Sequence, residues 1–267
     1  MDNCALPVSP EKLVARAGLV VSLGGDGTML RSMRLVSGTR VPVLGVNLGR
    51  LGFLAEIDTE DVPRALDRIE QGDFVTESRM AVSTRLPDGH EHRAFNDIAL
   101  VRVPGNGMAA ISVSIQGEEF IRYAADAVVV ATSTGSTAYS FAAGGPILSP
   151  RVEAVLVVPA SAHSSFDRAL VLPADEEVTL EMLPTTGRLA VEVDGQVAGY
   201  LESGDRITVT ASPAAAQVVR LGATTFYQRA RRKLGIKGSV QADGVSSRSP
   251  RTPVAVSGLN EKAKDSA

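Results

Sequence analysis

LVVSLGGDGTMLRSMRLV, residues Leu19–Val36, is the stretch that decides the fold. Leu19–Leu23 is an apolar run of strand length, and Met29–Val36 reads as a helix. Gly24–Thr28 is therefore the turn between them. Three glycines around Asp26 leave no Cβ to keep a phosphate from the backbone N–H groups, and the helix N-terminus that follows favours an anion. A carboxylate among such amides is a poor phosphate ligand. It suits a base, a magnesium ligand beside phosphates, or a simple helix cap.

Outward from this turn, Ser9-Pro10-Glu11 predicts an N-cap with proline at the first helical position, opening a helix to about Ala17, and Val41–Val46 is the next strand. Helices alternating with continuously apolar strands indicate a parallel sheet covered on both faces. Only about two strands are visible before Ile57, short of the four or more in a stable doubly wound sheet. From Val75 the pattern changes to strands with turn punctuation: Ala81–Leu86, the turn Pro87-Asp88-Gly89, then Ala94–Val103. A hairpin follows, Ile111–Ile115 and Glu119–Tyr123 about Gln116-Gly117, and Val178–Met182, Leu189–Val193 and Ile207–Thr210 continue the series. Phe226–Leu234 reads as a helix with a basic outer face, ended by Gly235. The expected fold is α/β plus all-β: a partial doubly wound α/β unit over 1–75, completed by a returning helix within 222–237, then an antiparallel β-sandwich over 76–221. Residues 238–267, without aromatics and rich in Ser, Gly and Pro, read as a disordered tail.

Composition narrows the function. The chain has 267 residues, 44% hydrophobic and 21% charged, enough for a sizeable core without disulfide or metal staples. One cysteine, Cys4, cannot close an internal bridge, and with His90, His92 and His163 it forms no zinc spacing, so a reducing cytosol is the natural compartment. No run approaches the roughly 18 apolar residues of a membrane span, and the N-terminus lacks the basic and apolar segments of a leader, which argues against export. Residues 221–267 hold nine Lys+Arg against three Asp+Glu, and the acidic remainder has 18 against 27. A basic tail on an acidic body argues against nucleic acid.

A second polar cluster, TSTGSTAYS at Thr132–Ser140, follows the apolar Val128–Val130 and precedes Gly144-Gly145-Pro146. Its hydroxyls suit a sugar-phosphate ligand and Tyr139 offers a flat face for a base; a Ser/Thr-rich helix-capping turn is the plainer use. Asn96-Asp97 pairs an amide with a carboxylate able to grip adjacent hydroxyls. Asp126 precedes an apolar strand, and Asp194-Gly195 reads as a hairpin turn. Arg50, with glycines on both sides, is open between a phosphate contact and a surface ion pair. There is no GxxxxGK[ST] and no GxSxG, and Gly105-Asn106-Gly107 lies between strands as a loop.

GGDGT, VNLGRLGFLAE, FNDIAL, TSTGSTAYSFAAGGP and VDGQ, in that order over roughly Leu19–Leu234, resemble the NAD kinase family. The resemblance implies transfer of the γ-phosphoryl group of ATP to the 2′-hydroxyl of the adenosine ribose of NAD, giving NADP, with a divalent cation, Mg2+ or Mn2+. By its motifs Asp26 matches the aspartate that accepts the hydroxyl proton and, with Gly27, touches NAD; Gly24, Gly25, Gly27 and Thr28 match the phosphate-binding loop. Asn96 and Asp97 match the pair that holds ribose hydroxyls. Asp126 matches an acid near the nicotinamide-side carboxamide, Thr137, Ala138, Tyr139 and Ser140 match the nucleotide-binding TAYS, and Gln196 is a further ligand candidate. The family implies a dimer or tetramer. This chain departs from it in Ser133 for proline, Ala127 for glycine and Asp97 for glutamate, and the family carries further strand and helix units before GGDGT. A lipid or sugar kinase sharing the GGDG loop, or a non-catalytic NAD(P)-binding protein, are the alternatives. Asp26 argues against the last, because a sensor has little use for a carboxylate there.

Overall fold

The structure, a computed structural model, describes residues 8–49, 52–185, 187–222 and 224–238. Arg50, Cys4 and the tail beyond Gly238 lie outside the described residues. Helix α1 (Pro10–Arg16) leads to β1 (Val20–Gly24), α2 (Asp26–Val36), β2 (Pro42–Asn47), β3 (Ile57–Asp58) and α3 (Val62–Glu70). Strands β4 (Val75–Arg85), β5 (Glu91–Ala94), β6 (Asp97–Arg102), β7 (Ala109–Ile115), β8 (Glu118–Ala125) and β9 (Ala127–Thr132) follow, then the short helix α4 (Tyr139–Ala142). Strands β10 (Ala154–Ala160), β11 (Leu170–Pro173), β12 (Val178–Met182), β13 (Leu189–Val193), β14 (Gln196–Leu201) and β15 (Arg206–Arg220) precede α5 (Phe226–Lys233).

The decisive stretch folds as its pattern dictates. Met29, Leu30, Met33 and Val36, three and four residues apart, put one face of α2 into the core. Beneath it β1 and β2 run parallel, Val20 opposite Val43. Gly45 of β2 is required by packing, since a Cβ there would lie 2.9 Å from Ala55 Cα and 3.1 Å from Met29 Sδ. The Gly45 carbonyl accepts the Glu56 N–H at 2.9 Å, which lays Ala55 and Glu56 against β2.

The strand missing from the short first sheet comes from the far end of the chain. β15 pairs in parallel with β2 at Gln217 and Val218, and antiparallel with both β4 and β12. Its pairing with β4 slips between Ser212 and Ala216, around Pro213, which has no N–H to give the ladder. The sequence shows only Ile207–Thr210 of this strand; the rest is extended because three neighbours pair with it.

A second, antiparallel sheet runs β11-β10-β9-β6-β13-β14. Its inner residues Ile98, Leu100, Val128, Val130 and Val157 meet Val82, Ile111, Val113, Leu180 and Ile207 of the first sheet in one core, the expected sandwich. Each such side chain contributes about 1.5–3 kcal/mol on burial.

Two expectations change. Ala94–Val103 is not one strand: β5 pairs with β4 in the first sheet and β6 with β9 and β13 in the second, so the chain crosses between sheets at Phe95-Asn96. Helix α3, amphipathic with Pro63 in its first turn, is an element the sequence reading lacks.

Candidate active site

Asp26 opens α2, with Gly25 at the N-cap and Gly24 at φ +154°, a conformation glycine tolerates. A Cβ on Gly24 would lie 2.4 Å from Thr28 Oγ1, so the loop closes tightly on its own helix. The carboxylate turns away from the glycine loop toward residues 52–54. Oδ2 accepts the Phe53 N–H and Oδ1 the Leu54 N–H, each at 3.0 Å. Gly52 must be glycine, because its Cβ would meet Oδ1 at 2.2 Å. The third donor is Lys233 at the end of α5, with Nζ 3.0 Å from Oδ2 and 4.6 Å above the Phe53 ring.

Helix α5 is held where it can do this. Thr225 and Gln228 form a reciprocal capping box, and Phe226 packs on Phe53 with ring centroids 6.4 Å apart. Arg229 reaches buried Glu56 at 3.3 Å. Glu56 also binds Arg220 at 2.9 Å and the Leu221 N–H at 2.9 Å, and Arg220 in turn meets Glu77, which binds Arg79. Burial, then the charge of Arg220, lowers the pKa of both Arg79, to about 10, and Arg229. This chain of alternating charges ties residues 54–56 to β4, β15 and α5.

The second half of the site is the corner between sheets. Asp194, its side chain 1% exposed, accepts the Asn96 N–H at 2.7 Å and the Phe95 N–H at 3.3 Å, and binds Arg34 of α2 at 2.5 Å. It occupies the expected hairpin turn, at φ +48°, but its carboxylate is the post on which the corner turns. On the other side Thr132 gives its hydroxyl to the Phe95 carbonyl at 2.6 Å and its N–H to the Asn96 carbonyl at 2.8 Å. A Cβ on Gly135 would come 2.0 Å from the Asn96 oxygen, so TSTGS and FND fit only without it. Met29 and Met33 of α2 share a core cluster with Phe95, linking this corner to the helix that begins at Asp26.

The hydroxyl cluster is mostly inward. Thr132, Ser133, Ser136 and Ser140 are buried, and Ser136 bonds the Ser133 carbonyl at 2.7 Å and accepts the Leu148 N–H at 3.0 Å. Ser140 Oγ has no partner among the described residues. Thr137, Ala138 and Tyr139 are half-buried, where a ligand can reach them. Tyr139 packs on the outer face of the second sheet, against Ala99, Val129 and Val158. Burial, then the charges of Glu192, Asp126 and Asp97, raises its phenol pKa, so it stays a hydrogen-bond donor.

Asp97, 3% exposed, accepts the Tyr139 N–H. Burial above all, then the charges of Asp194 and Glu192, pushes its pKa to about 7. A carboxyl whose folded pKa is raised contributes stability that is full below its ordinary value near 4 and is lost as pH climbs through 7. Asp97→Asn carries a neutral group of the same shape at every pH. At pH 8 it is expected to be more stable than the parent by about 2–4 kcal/mol, the two converging near pH 4, read from urea unfolding. Equal stability at pH 8 would show that Asp97 is solvated as a carboxylate.

Asp126 stands before β9, at the end away from Thr132, with Arg102 2.5 Å from its oxygen; both are partly exposed. Gln196 is exposed on β14 and lines a cleft of about 470 Å³ with Arg34, His92 and Arg93. The sequence reading lacks Lys233, Asp194 as a post, and the Phe53 and Leu54 amides. The basic face of Phe226–Leu234 and the VDGQ turn are the only signals for the first two.

A glycine-rich turn presenting a carboxylate at a helix N-terminus, joined through that helix to a sheet corner bearing an amide, a carboxylate and a tyrosine, defines a nucleotide-binding phosphotransferase. Comparison specifies which. Residues 8–74 match the ATP-NAD kinase N-terminal domain and residues 95–221 the ATP-NAD kinase C-terminal domain. NAD kinase of Gemmatimonas aurantiaca is 41% identical over 84% of this chain and 80% of its own length. NAD kinase 1 of Streptomyces avermitilis is 37% identical, over 92% and 80%. Yeast NADH kinase complexed with NADH superposes with a TM-score of 0.76 at 30% identity, covering 92% of this chain and 71% of that one. The Archaeoglobus fulgidus NAD kinase in complex with ATP gives 0.66 at 27%, covering 82% of each. The chain belongs to the NAD kinase family. Its activity is the ATP-dependent phosphorylation of NAD to NADP.

Proposed function

We propose that Asp26 is the base of this reaction: it takes the proton of the adenosine-ribose 2′-hydroxyl as that oxygen bonds to the γ-phosphorus of ATP. The bond from phosphorus to the bridging oxygen breaks, and its electron pair leaves with ADP. The observation that carries this is the fixed carboxylate at the mouth of α2, held by the Phe53 and Leu54 amides. An alcohol does not ionise at neutral pH, so a positioned acceptor for its proton contributes about 10²- to 10⁴-fold. Gly24, Gly25, Gly27 and Thr28 hold the phosphates with backbone N–H groups and the helix end. Asn96 and Asp97 grip the ribose hydroxyls, Thr137, Ala138, Tyr139 and Ser140 receive the nucleotide, and Asp126 and Gln196 complete the NAD site. Alignment of the two substrates supplies the larger share of the rate.

The described residues contain no cluster of three or more His, Cys, Asp or Glu able to cage a metal. A cation carried on the triphosphate would have Asp26 as the nearby carboxylate of this chain. Bound there, Mg2+ or Mn2+ neutralises charge on the transferring oxygens.

The division of the chain near residue 75, with 222–237 returning to the first unit, belongs to this reading; the contacts of Lys233 with Asp26 and Phe226 with Phe53 support it. So does a dimer or tetramer, supported by exposed Phe120 and by Val197 and Tyr200 on the edge strand β14. The lone cysteine supports a cytoplasmic setting, and no helix of the described residues is long and apolar enough to cross a membrane. Purified protein given NAD, ATP and Mg2+ is expected to form NADP, measured with an NADP-specific dehydrogenase. Absence of NADP above the ATP-free blank would remove the reading.

A further inference from the structure

We propose that Lys233 is an exchangeable partner of Asp26: its ammonium holds the carboxylate while the donor site is empty and transfers to the γ-phosphoryl oxygens when ATP arrives, releasing the base. This rests on the reading of Asp26 as proton acceptor. Three donors converge on that carboxylate, and they differ in kind. The Phe53 and Leu54 N–H groups belong to a backbone segment pinned by Glu56, Arg220 and Arg229, so they cannot leave. Lys233 is a mobile charge on a four-carbon stem, with 35% of its side chain exposed beside a carboxylate 27% exposed. With Lys233 in place, Oδ2 already accepts two bonds and Oδ1 one, which leaves a hydroxyl poor access.

The incoming donor supplies the reason to exchange. The triphosphate is held by the first-turn N–H groups of α2, the turn that begins with Asp26 itself, so several negative oxygens come within reach of the same ammonium. They outbid a single carboxylate for it. The ring of Phe53, 4.6 Å below Nζ, gives the head an apolar rest from which to swing, while the capping box and Arg229 keep the helix backbone still. The arrangement couples exposure of the base to arrival of the phosphoryl donor.

The test is Lys233→Met beside Lys233→Arg in the full-length enzyme with NAD, ATP and Mg2+. Loss of one charged contact to phosphate predicts that kcat/KM for ATP falls about tenfold or more in Lys233→Met, as a bond to a charged group implies. The Kd for NAD by calorimetry stays within about twofold, and Lys233→Arg recovers most of the loss because it keeps the charge and donors. Unchanged ATP parameters in Lys233→Met overturn the proposal. So does a parallel fall in NAD affinity and melting temperature, which would make Lys233 a prop for the helix. Asp26→Asn in the same assay separates the two claims: if it keeps turnover, the reading of Asp26 falls and this inference with it; if it is inactive while Lys233→Met matches the parent, only the exchange is wrong.

Discussion

Asp26→Asn is expected to lower kcat by about 10²- to 10⁴-fold while NAD still binds with nearly the parent affinity. The carboxamide has nearly the same shape but cannot accept the hydroxyl proton. It also has one acceptor oxygen where two backbone N–H groups, of Phe53 and Leu54, point at two oxygens 3.0 Å away, so one amide faces an NH2 group. The mismatch disturbs residues 53–54 but not the Asn96 corner, whose amides are held by Asp194. Turnover should therefore fall far more than affinity, the signature of an interaction made in the transition state. Turnover within fivefold of the parent would remove Asp26 from the chemistry.

The largest effect on stability is expected from Glu56→Ala. Glu56, its side chain 1% exposed, binds two guanidinium groups and the Leu221 N–H. Removing it leaves Arg220 and Arg229 buried beside Arg79, with Glu77 the one carboxylate left in the chain of charges. Breaking such a network costs about 3–5 kcal/mol, because the remaining charges are unpaired in a poorly solvating interior. Among the described residues Arg79 and Arg229 already have unpartnered Nε atoms, and their pKa values are lowered by burial, so this region has little tolerance left. Urea unfolding should show the loss, with turnover falling as well, since the same network fixes residues 54–56 against Asp26. A change below about 1 kcal/mol would mean that water enters and solvates the arginines.

Much of this molecule is legible in its residues because the signals are local. The strand–turn–helix at Leu19–Val36 and the hairpin about Gln116-Gly117 need only neighbours, and both residues of that turn have the positive φ the pair suggests. What is hidden is made by distant pairing. Phe95-Asn96 looks like the middle of a strand until Asp194 and Thr132 bend it. The last ten residues of β15 carry no alternation of their own and are extended by β2 and β4. The site divides the same way. Asp26, Asn96, Asp97 and Tyr139 sit in recognisable strings, whereas Lys233 meets Asp26 across 207 positions and Arg34 meets Asp194 across 160, contacts that no window of sequence contains.

The late arrival of β15 also bears on how the polypeptide is made. Among the described residues, the edge of β2 at Pro42 and Val43 that faces away from β1 is closed by Gln217 and Val218. At translation rates of about 5–20 residues per second, a ribosome holds that apolar edge open for about 10–40 seconds after the GGDGT turn has emerged. Until β15 arrives, that edge presents unpaired N–H and C=O groups on which another strand could add.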